Sequence, residues 1–366
     1  MPRARHFALA ACAAAALSSC AEEFQAGVEG GVENLLLVTF DTTRADRVGC
    51  YGYEAASTPV LDALAEEGAL FERCIAPAPL TLPSHSTLLT GFQPYTHGAR
   101  NNGTHKMGAE VRSIAQRLKE EGFSTGAVTS AFVLDSRFGL DSGFDSYDDD
   151  LSGGTGQGNF GFAETTAVDT SRRALEWLER RGDERWFLFL HTYAAHFPYG
   201  GFARYRSENP DRGLPSDVEI DALRRRYPGS RLYGPERRRE IPAGEQYLCS
   251  LYNQLAEAHG VLLPCGDDVL DEAFRASPEA ERDLAAIVRS YDARIGQVDE
   301  AVARIRATLE GLGQWDDTLF VVTADHGESF CEHGLPKHEY VPFEEVLRVP
   351  LVISWPRFFR ERGGMV

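Results

Sequence analysis

At 366 residues, with 43% hydrophobic and 25% charged residues, the chain can bury one large core or two and has the composition of an ordinary globular protein. Its formal net charge of −18 excludes the basic footprint of a nucleic-acid binder. An anionic substrate stays admissible, because a metal ion and a few local cations can reverse the potential inside one cleft.

Residues 1–19 read as a lipoprotein signal peptide. Arg3, Arg5 and His6 make a basic start, and Phe7 to Leu17 is an apolar, alanine-rich run. That run is shorter than the ~20 residues a membrane-spanning helix needs. It ends in Leu17-Ser18-Ser19-Cys20, which is similar to a bacterial lipobox. Cys20 is therefore expected to become the lipidated N-terminus and anchor the protein to a membrane, a plain secretory peptide cut near Ser19 being the alternative. Residues 20–33 then form a tether. The expected location is outside the cytoplasm, as a periplasmic or outer-membrane-associated lipoprotein of a bacterium. Export permits disulfides. Once Cys12 is removed and Cys20 lipidated, Cys50, Cys74, Cys249, Cys265 and Cys331 remain, an odd number that cannot all pair within the chain. Cys249–Cys265, both in a loop-rich region, is the pairing expected first. Isolated thiols are the alternative.

From residue 34 the chain alternates buried strands with helical patterns. Asn34 to Phe40 is a continuous apolar run with turn-forming residues at its end, as in a strand buried on both faces. Thr58-Pro59 opens a helix to about Glu67, with proline in the first turn. Val111 to Glu121 predicts a helix stopped by Gly122, and Ser124 to Thr129 a short strand. Ala167 to Arg181 is helical and Trp186 to Leu190 a strand. Glu279 to Leu312 is a long helical stretch before the buried strand Thr318 to Thr323, and Val349 to Ser354 is one more strand. Such alternation predicts an α/β fold with a mainly parallel sheet, in one domain over 34–366. An insertion at about 200–278, rich in Arg, Pro, Gly and Glu, breaks the pattern. It is expected to carry substrate contacts, with one helix over Gln246 to His259.

Ligands in open α/β sheets gather at the carboxyl ends of strands. Asp41 follows the first strand, Asp325 and His326 follow another, and His191 and His196 follow a third. One such Asp is an ordinary turn residue. Carboxylates and imidazoles converging from three strands suit a divalent metal. Thr81 adds a fourth element, because Pro83 and Ser84 look like a helix start. Thr81 would then sit at a helix N-terminus, where free N–H groups and the dipole favour an anion or an alkoxide. Alone, Thr-x-Pro-Ser is a common capping pattern.

In order, Phe40-Asp-Thr-Thr-Arg-Ala-Asp46, Gly49-Cys-Tyr-Gly52, Thr81-Leu-Pro-Ser-His-Ser-Thr-Leu-Leu-Thr-Gly91 and His97-Gly-Ala-Arg-Asn-Asn-Gly103 occupy the first third of the chain. His191 to Tyr199, Tyr291-Asp-Ala-Arg-Ile295, Thr323-Ala-Asp-His-Gly-Glu328, Glu332-His-Gly334 and Glu344-Glu-Val-Leu-Arg-Val-Pro350 follow. By these pieces the chain resembles the sulfatase family of the alkaline phosphatase superfamily over nearly all of Asn34 to Ser354. The resemblance implies an alkaline-phosphatase-like three-layer α/β/α sandwich around a mostly parallel sheet. The usual small C-terminal subdomain would be largely absent, and the chain truncated at Val366.

The same resemblance implies that Asp41, Asp325 and His326 bind one divalent metal ion, calcium, manganese or zinc. Thr81 stands at the nucleophile position. Asn102, His196 and Lys337 would contact the non-bridging oxygens of the ester, with His85 counted among the substrate-binding residues and His196 or His338 as leaving-group acid. The structural alternatives are an Asn-Gly turn for Asn102 and packing roles for His85, His97, His333 and His338. His191, Arg44 and Asp46 are expected to support the ligands rather than bind the metal.

The chain also departs from the family. Sulfatases proper carry Cys or Ser at the Thr81 position, followed by Pro-Ser-Arg, and oxidise it to formylglycine. Threonine cannot give that aldehyde, so formylglycine is not expected, and the motif's arginine is His85. A second family Asp is Thr42, and the Asp between the two histidines is Ala194. Three readings stay open. One is a sulfatase-like hydrolase of sulfuric or related anionic esters, on a small molecule or a glycan. A second is a phosphodiesterase or phosphonate monoester hydrolase using unmodified Thr81. The third is a catalytically silent binder of anionic glycans. The oligomeric state is left open.

Overall fold

The structure, a computed structural model, describes residues 31–151, 166–196, 278–330, 332, 338 and 342–361. The expectations for the signal peptide and Cys20, the insertion with its helix, Cys249–Cys265, Cys331, His333 and Lys337 lie outside the described residues. Within them Cys50 and Cys74 are free thiols, and no helix is long and apolar enough to cross a membrane.

In chain order the elements are β1 (Asn34–Phe40), α1 (Pro59–Glu67), β2 (Ala69–Leu70), β3 (Cys74–Ile75), α2 (Thr81–Thr90), α3 (Ile114–Glu120), β4 (Ser124–Val128) and β5 (Ser146–Asp148). After them come α4 (Ala167–Leu178), β6 (Trp186–Thr192), α5 (Pro278–Gly311), β7 (Thr318–Ala324), α6 (Glu344–Leu347), β8 (Arg348–Val349), β9 (Leu351–Ser354) and α7 (Pro356–Glu361). A seven-stranded sheet runs β2-β9-β7-β1-β6-β4-β5. β1 lies between β6 and β7 and is parallel to both, β4 is parallel to β5 and β6, and β9 runs antiparallel to β7 and β2. The expected strand over Val349 to Ser354 is two strands. Pro350 has no N–H for a ladder, and β8 pairs with β3 in a separate ribbon while β9 joins the main sheet.

Alternation along the central strands builds the three layers. Leu36, Val38 and Phe40 of β1, with Leu188 and Leu190 of β6, pack under Leu61 and Leu64 of α1, Ala174 and Leu178 of α4, and Val298 and Ile305 of α5. Leu37, Phe187 and Phe189 face the other way, against Leu82 and Leu89 of α2 and Ala115 of α3. Both faces of the sheet are therefore apolar, which is why the strands read as continuous hydrophobic runs. The α/β/α sandwich is the architecture expected from the sequence.

Two helix starts show how side chains set local boundaries. α3 begins at Ile114, not at the expected Val111, because Ser113 forms a capping box with Gln116. α1 has Pro59 in its first turn but takes no side-chain cap from Thr58. Asp299 of α5 instead accepts from Val60 N–H at 3.1 Å and Leu61 N–H at 2.9 Å. Burial pushes the Asp299 carboxyl up to about 7, against the pull of those two N–H groups.

α5 also grips the loop after β1. The Tyr291 hydroxyl donates to Thr42 O at 2.7 Å and accepts from Arg44 N–H at 2.9 Å, with the ring fully buried. Tyr291→Phe is expected to leave two buried backbone groups short of a partner and to cost about 1–3 kcal/mol, read as a shift in the denaturant midpoint against the wild type.

Candidate active site

The carboxyl ends of β1 and β7, neighbours in the sheet, deliver three buried side chains that could hold a metal ion to one point. Asp41, Asp325 and His326 are each at most 1% exposed, and one ligand atom from each lies within 4.8 Å of the others. Asp41 N–H donates to Thr192 O at 3.0 Å, which continues the β1–β6 ladder one residue past the strand. Asp325 Oδ1 accepts from Thr42 N–H at 3.2 Å and His326 N–H at 2.9 Å. Its Oδ2 takes no hydrogen bond among the described residues and lies 3.2 Å from His326 Nε2. A buried carboxylate oxygen without a donor is costly unless a cation faces it.

The tautomer of His326 follows from its other nitrogen. Nδ1–H donates to Gly327 O at 2.9 Å, so Nε2 presents the lone pair. Burial works against a charge on this ring, but Asp325 and Asp41 outweigh it and raise its pKa. A metal ion would compete with a proton for this nitrogen, and both carboxylates favour a cation there. Two carboxylates and an imidazole, all dry, fit a divalent metal ion. Gly327 makes the turn possible, since a Cβ there would meet Glu345 O at 2.1 Å.

His191 supports the site without a lone pair to give. Ser130 N–H reaches its Nδ1 at 3.4 Å while the Ser130 hydroxyl donates to His191 O at 2.9 Å. Nε2–H therefore donates to Asp41 Oδ2 at 3.1 Å. Burial pushes its pKa down to about 4, so it stays neutral and orients the carboxylate.

Thr81 is the first residue of α2, 2% exposed, and its Oγ1 lies 3.3 Å from His326 Nε2. Leu80 supplies no side-chain cap. The helix start is held by Ser84 Oγ donating to Ala78 O at 2.8 Å and by Asn102 Oδ1 accepting from Leu82 N–H at 2.9 Å. Pro83 has no N–H to satisfy. With its oxygen on the helix, Asn102 keeps its amide NH2 as donor, so a turn role and an anion contact are compatible.

His85 is a buried residue of α2. The resemblance counts it with the substrate-binding residues, but it is fully buried one helical turn below Thr81. Its Nδ1–H donates to Thr81 O at 2.8 Å and its Nε2 accepts from the Thr39 hydroxyl at 2.9 Å. Both nitrogens serve the protein. Burial pushes the pKa down to about 4, and the neutral ring ties the start of α2 to β1.

His196 and His338 meet beside the triad. The His338 ring lies 4.3 Å from that of His326 and 5.2 Å from that of His196, centroid to centroid. His338 Nδ1 pairs with buried Glu328 Oε1 at 3.0 Å. His196 stacks on Tyr193 at 4.1 Å, and its Nε2 meets the Tyr193 hydroxyl at 3.1 Å. Arg44 ties the loops together, through Asp46 at 2.7 and 2.8 Å, Glu328 O at 3.1 Å, and Glu332. Burial disfavours the guanidinium charge, and the pairs with Asp46 and Glu332 outweigh it and raise its pKa.

Sequence reasoning points to Asp41, Thr81, Asp325, His326, His196 and His338, and the structure brings all six together. It assigns no role to Glu328, Tyr193, Ser130 or Tyr291. Glu328 and Tyr291 stand inside the motifs Thr323–Glu328 and Tyr291–Ile295, but nothing in one dimension says which histidine or which carbonyl they would meet.

A family model described as Sulfatase matches residues 33–363. The chain is 25% identical to an N-acetylglucosamine-6-O-sulfatase of Bacteroides thetaiotaomicron over 94% of its own length, and spans 66% of that relative. Among solved structures, a protein in complex with its substrate D-glucosamine-2-N,6-O-disulfate superposes with a TM-score of 0.63 at 22% identity, covering 89% of this chain and 72% of that one. The phosphonate monoester hydrolase of Agrobacterium radiobacter superposes with a TM-score of 0.60 at 22% identity, covering 88% and 68%.

Proposed function

The chain belongs to the sulfatase family, and we propose that it is a metal-dependent hydrolase of anionic esters with Thr81 as nucleophile. The observation that carries this reading is the placement of Thr81 Oγ1, at the first residue of α2 and 3.3 Å from Nε2 of His326 in the buried triad. Asp41, Asp325 and His326 would hold one divalent ion, whose charge would stabilise an alkoxide and the ester oxygens.

The chain's own groups divide the remaining work. The N-terminus of α2 favours negative charge at Thr81. The Asn102 amide, His196 and Lys337 would donate to the non-bridging oxygens, stabilising charge that builds on them. His338 or His196 would pass a proton to the leaving group. His85 grips the Thr81 carbonyl and His191 orients Asp41, so both act through other residues.

Sulfate esters are the first substrate class by family, and the name of the 25%-identical relative favours a sulfated sugar as the organic part. Thr81 itself favours a second reading. A secondary alcohol cannot become formylglycine, whereas its alkoxide can attack phosphorus and leave a phospho-threonine that water hydrolyses. We propose phosphodiesters and phosphonate monoesters as that alternative. Export and lipid anchoring through Cys20 belong to the same reading.

The test is a set of initial rates on matched nitrophenyl sulfate, phosphate monoester, phosphate diester and phosphonate ester, with added calcium, manganese or zinc. A metal-dependent rate on at least one of them is expected. A dominant diester or phosphonate rate selects the second reading, and a dominant sulfate rate the first. No rate on any of the four would overturn the hydrolase reading in favour of an anion-binding protein.

A further inference from the structure

Thr42 is the one residue other than glycine with a positive φ among the described residues, at +52°. A β-branched side chain is strained there, and such a conformation persists where the surroundings over-determine it. Three contacts do so. The Thr42 N–H donates to Asp325 Oδ1 at 3.2 Å, its hydroxyl donates to Ala195 O at 2.9 Å, and its carbonyl accepts from the Tyr291 hydroxyl at 2.7 Å. They reach three separate elements: the loop after β7 that carries Asp325 and His326, the turn that carries His196, and α5.

The turn from Tyr193 to His196 is closed on itself. His196 N–H donates to Tyr193 O at 3.0 Å, and the two rings stack. Its first residue is tied to the end of β4, where Tyr193 N–H donates to Ser130 Oγ at 2.8 Å. Its other end, at fully buried Ala195, is tied to the Asp41 loop by the Thr42 hydroxyl. Ala195 directly precedes His196, so this bond sets where the histidine stands relative to the triad.

We propose that Thr42 is a positioning residue that joins the two halves of the site. Its backbone N–H turns Asp325 toward the metal position, and its hydroxyl fixes the distance from the triad to His196 and thereby the grip on an anion. The inference rests on the reading of the triad and His196 given above.

The test separates the two functions of the residue. Thr42→Val keeps the N–H, the carbonyl and the branched shape and removes only the hydroxyl. Calorimetric titration with manganese alone is expected to give an affinity within about threefold of wild type, because the bond to Asp325 is kept. Titration of the manganese-loaded protein with inorganic phosphate is expected to give roughly tenfold weaker binding, and Thr42→Ser to restore it. Should thermal melting show Thr42→Val unfolded, Thr42→Ala lacks the same hydroxyl with less bulk at the strained φ and carries the same expectations. Unchanged phosphate affinity, or equal losses for manganese and phosphate, would overturn the proposal. So would a wild type that binds manganese but no phosphate. A wild type that turns over no ester while the phosphate difference persists would sink the hydrolase reading and leave the role of Thr42 standing.

Discussion

Thr81→Ala is expected to lower ester turnover by roughly 10³–10⁶-fold, the range seen when a hydrolase loses its nucleophile. The fold should survive. Among the described residues Thr81 Oγ1 makes one contact of hydrogen-bond length, 3.3 Å to His326 Nε2, and removing a weak bond costs about 1 kcal/mol or less. The carbonyl that His85 holds belongs to the backbone and stays in place. The measurement is a pair: initial rate on whichever nitrophenyl ester the wild type prefers, and the melting temperature of both proteins with metal present. A variant that keeps its activity would remove Thr81 from the nucleophile position. Intact mass of the purified wild type adds a second check, because unmodified threonine at Thr81 is expected and an aldehyde there would overturn the argument against formylglycine.

Chelation should abolish turnover as fully, with calcium, manganese or zinc restoring it. The stability effect has a calculable size. A ligand that binds only the native state at 100 times its Kd stabilises it by about 2.7 kcal/mol, read as a rise in melting temperature. Asp325→Asn is the informative variant. Its remaining oxygen can still accept from Thr42 N–H and His326 N–H, the two donors that hold Oδ1, so the loops stay tied. Burial works against the Asp325 charge, but attraction to the neighbouring His326 ring outweighs it and lowers the carboxyl pKa, so the variant loses that attraction in the metal-free state. The metal-free variant is therefore expected to melt somewhat lower than metal-free wild type, and to gain little or nothing when metal is added. A full metal-induced rise in Asp325→Asn would show that the ion binds elsewhere.

Much of the molecule is legible in the order of its residues. The runs at Asn34–Phe40, Trp186–Thr192 and Thr318–Ala324 announce doubly buried parallel strands, because only strands covered on both faces omit the polar alternation. The candidate ligands are legible for a related reason: a carboxylate directly after such a strand lies at the end of the sheet where ligands gather. The start of α3 is not, because the apolar pattern from Val111 runs past the Ser113 cap that sets the true boundary. Nor is the division of the strand at 349–354, where Pro350 separates two pairings.

His85 shows what motif position leaves out. Its place in the Thr81 motif suggests a substrate contact, but helical periodicity carries a residue four positions after Thr81 to the same face one turn deeper. There the neighbours are Thr39 and the Thr81 carbonyl. The departures at Thr42 and Ala194 are visible as missing carboxylates, yet what stands in their place is not. That the Thr42 hydroxyl meets Ala195 O, 153 residues away, depends on β1 and β6 lying side by side.

Fold class, family and the three buried residues that meet at the ends of β1 and β7 were thus readable from the amino-acid order alone. The fold class and the strand-end residues follow from local periodicity, and the family from the order and spacing of its motifs. Three-dimensional packing was needed to establish which ring nitrogen of His191 carries the proton, that His85 joins α2 to β1, and that Glu328 pairs with His338. Each of these turns on a partner between 10 and 61 positions away along the chain, and the role of a buried polar group is defined by the donor or acceptor it meets.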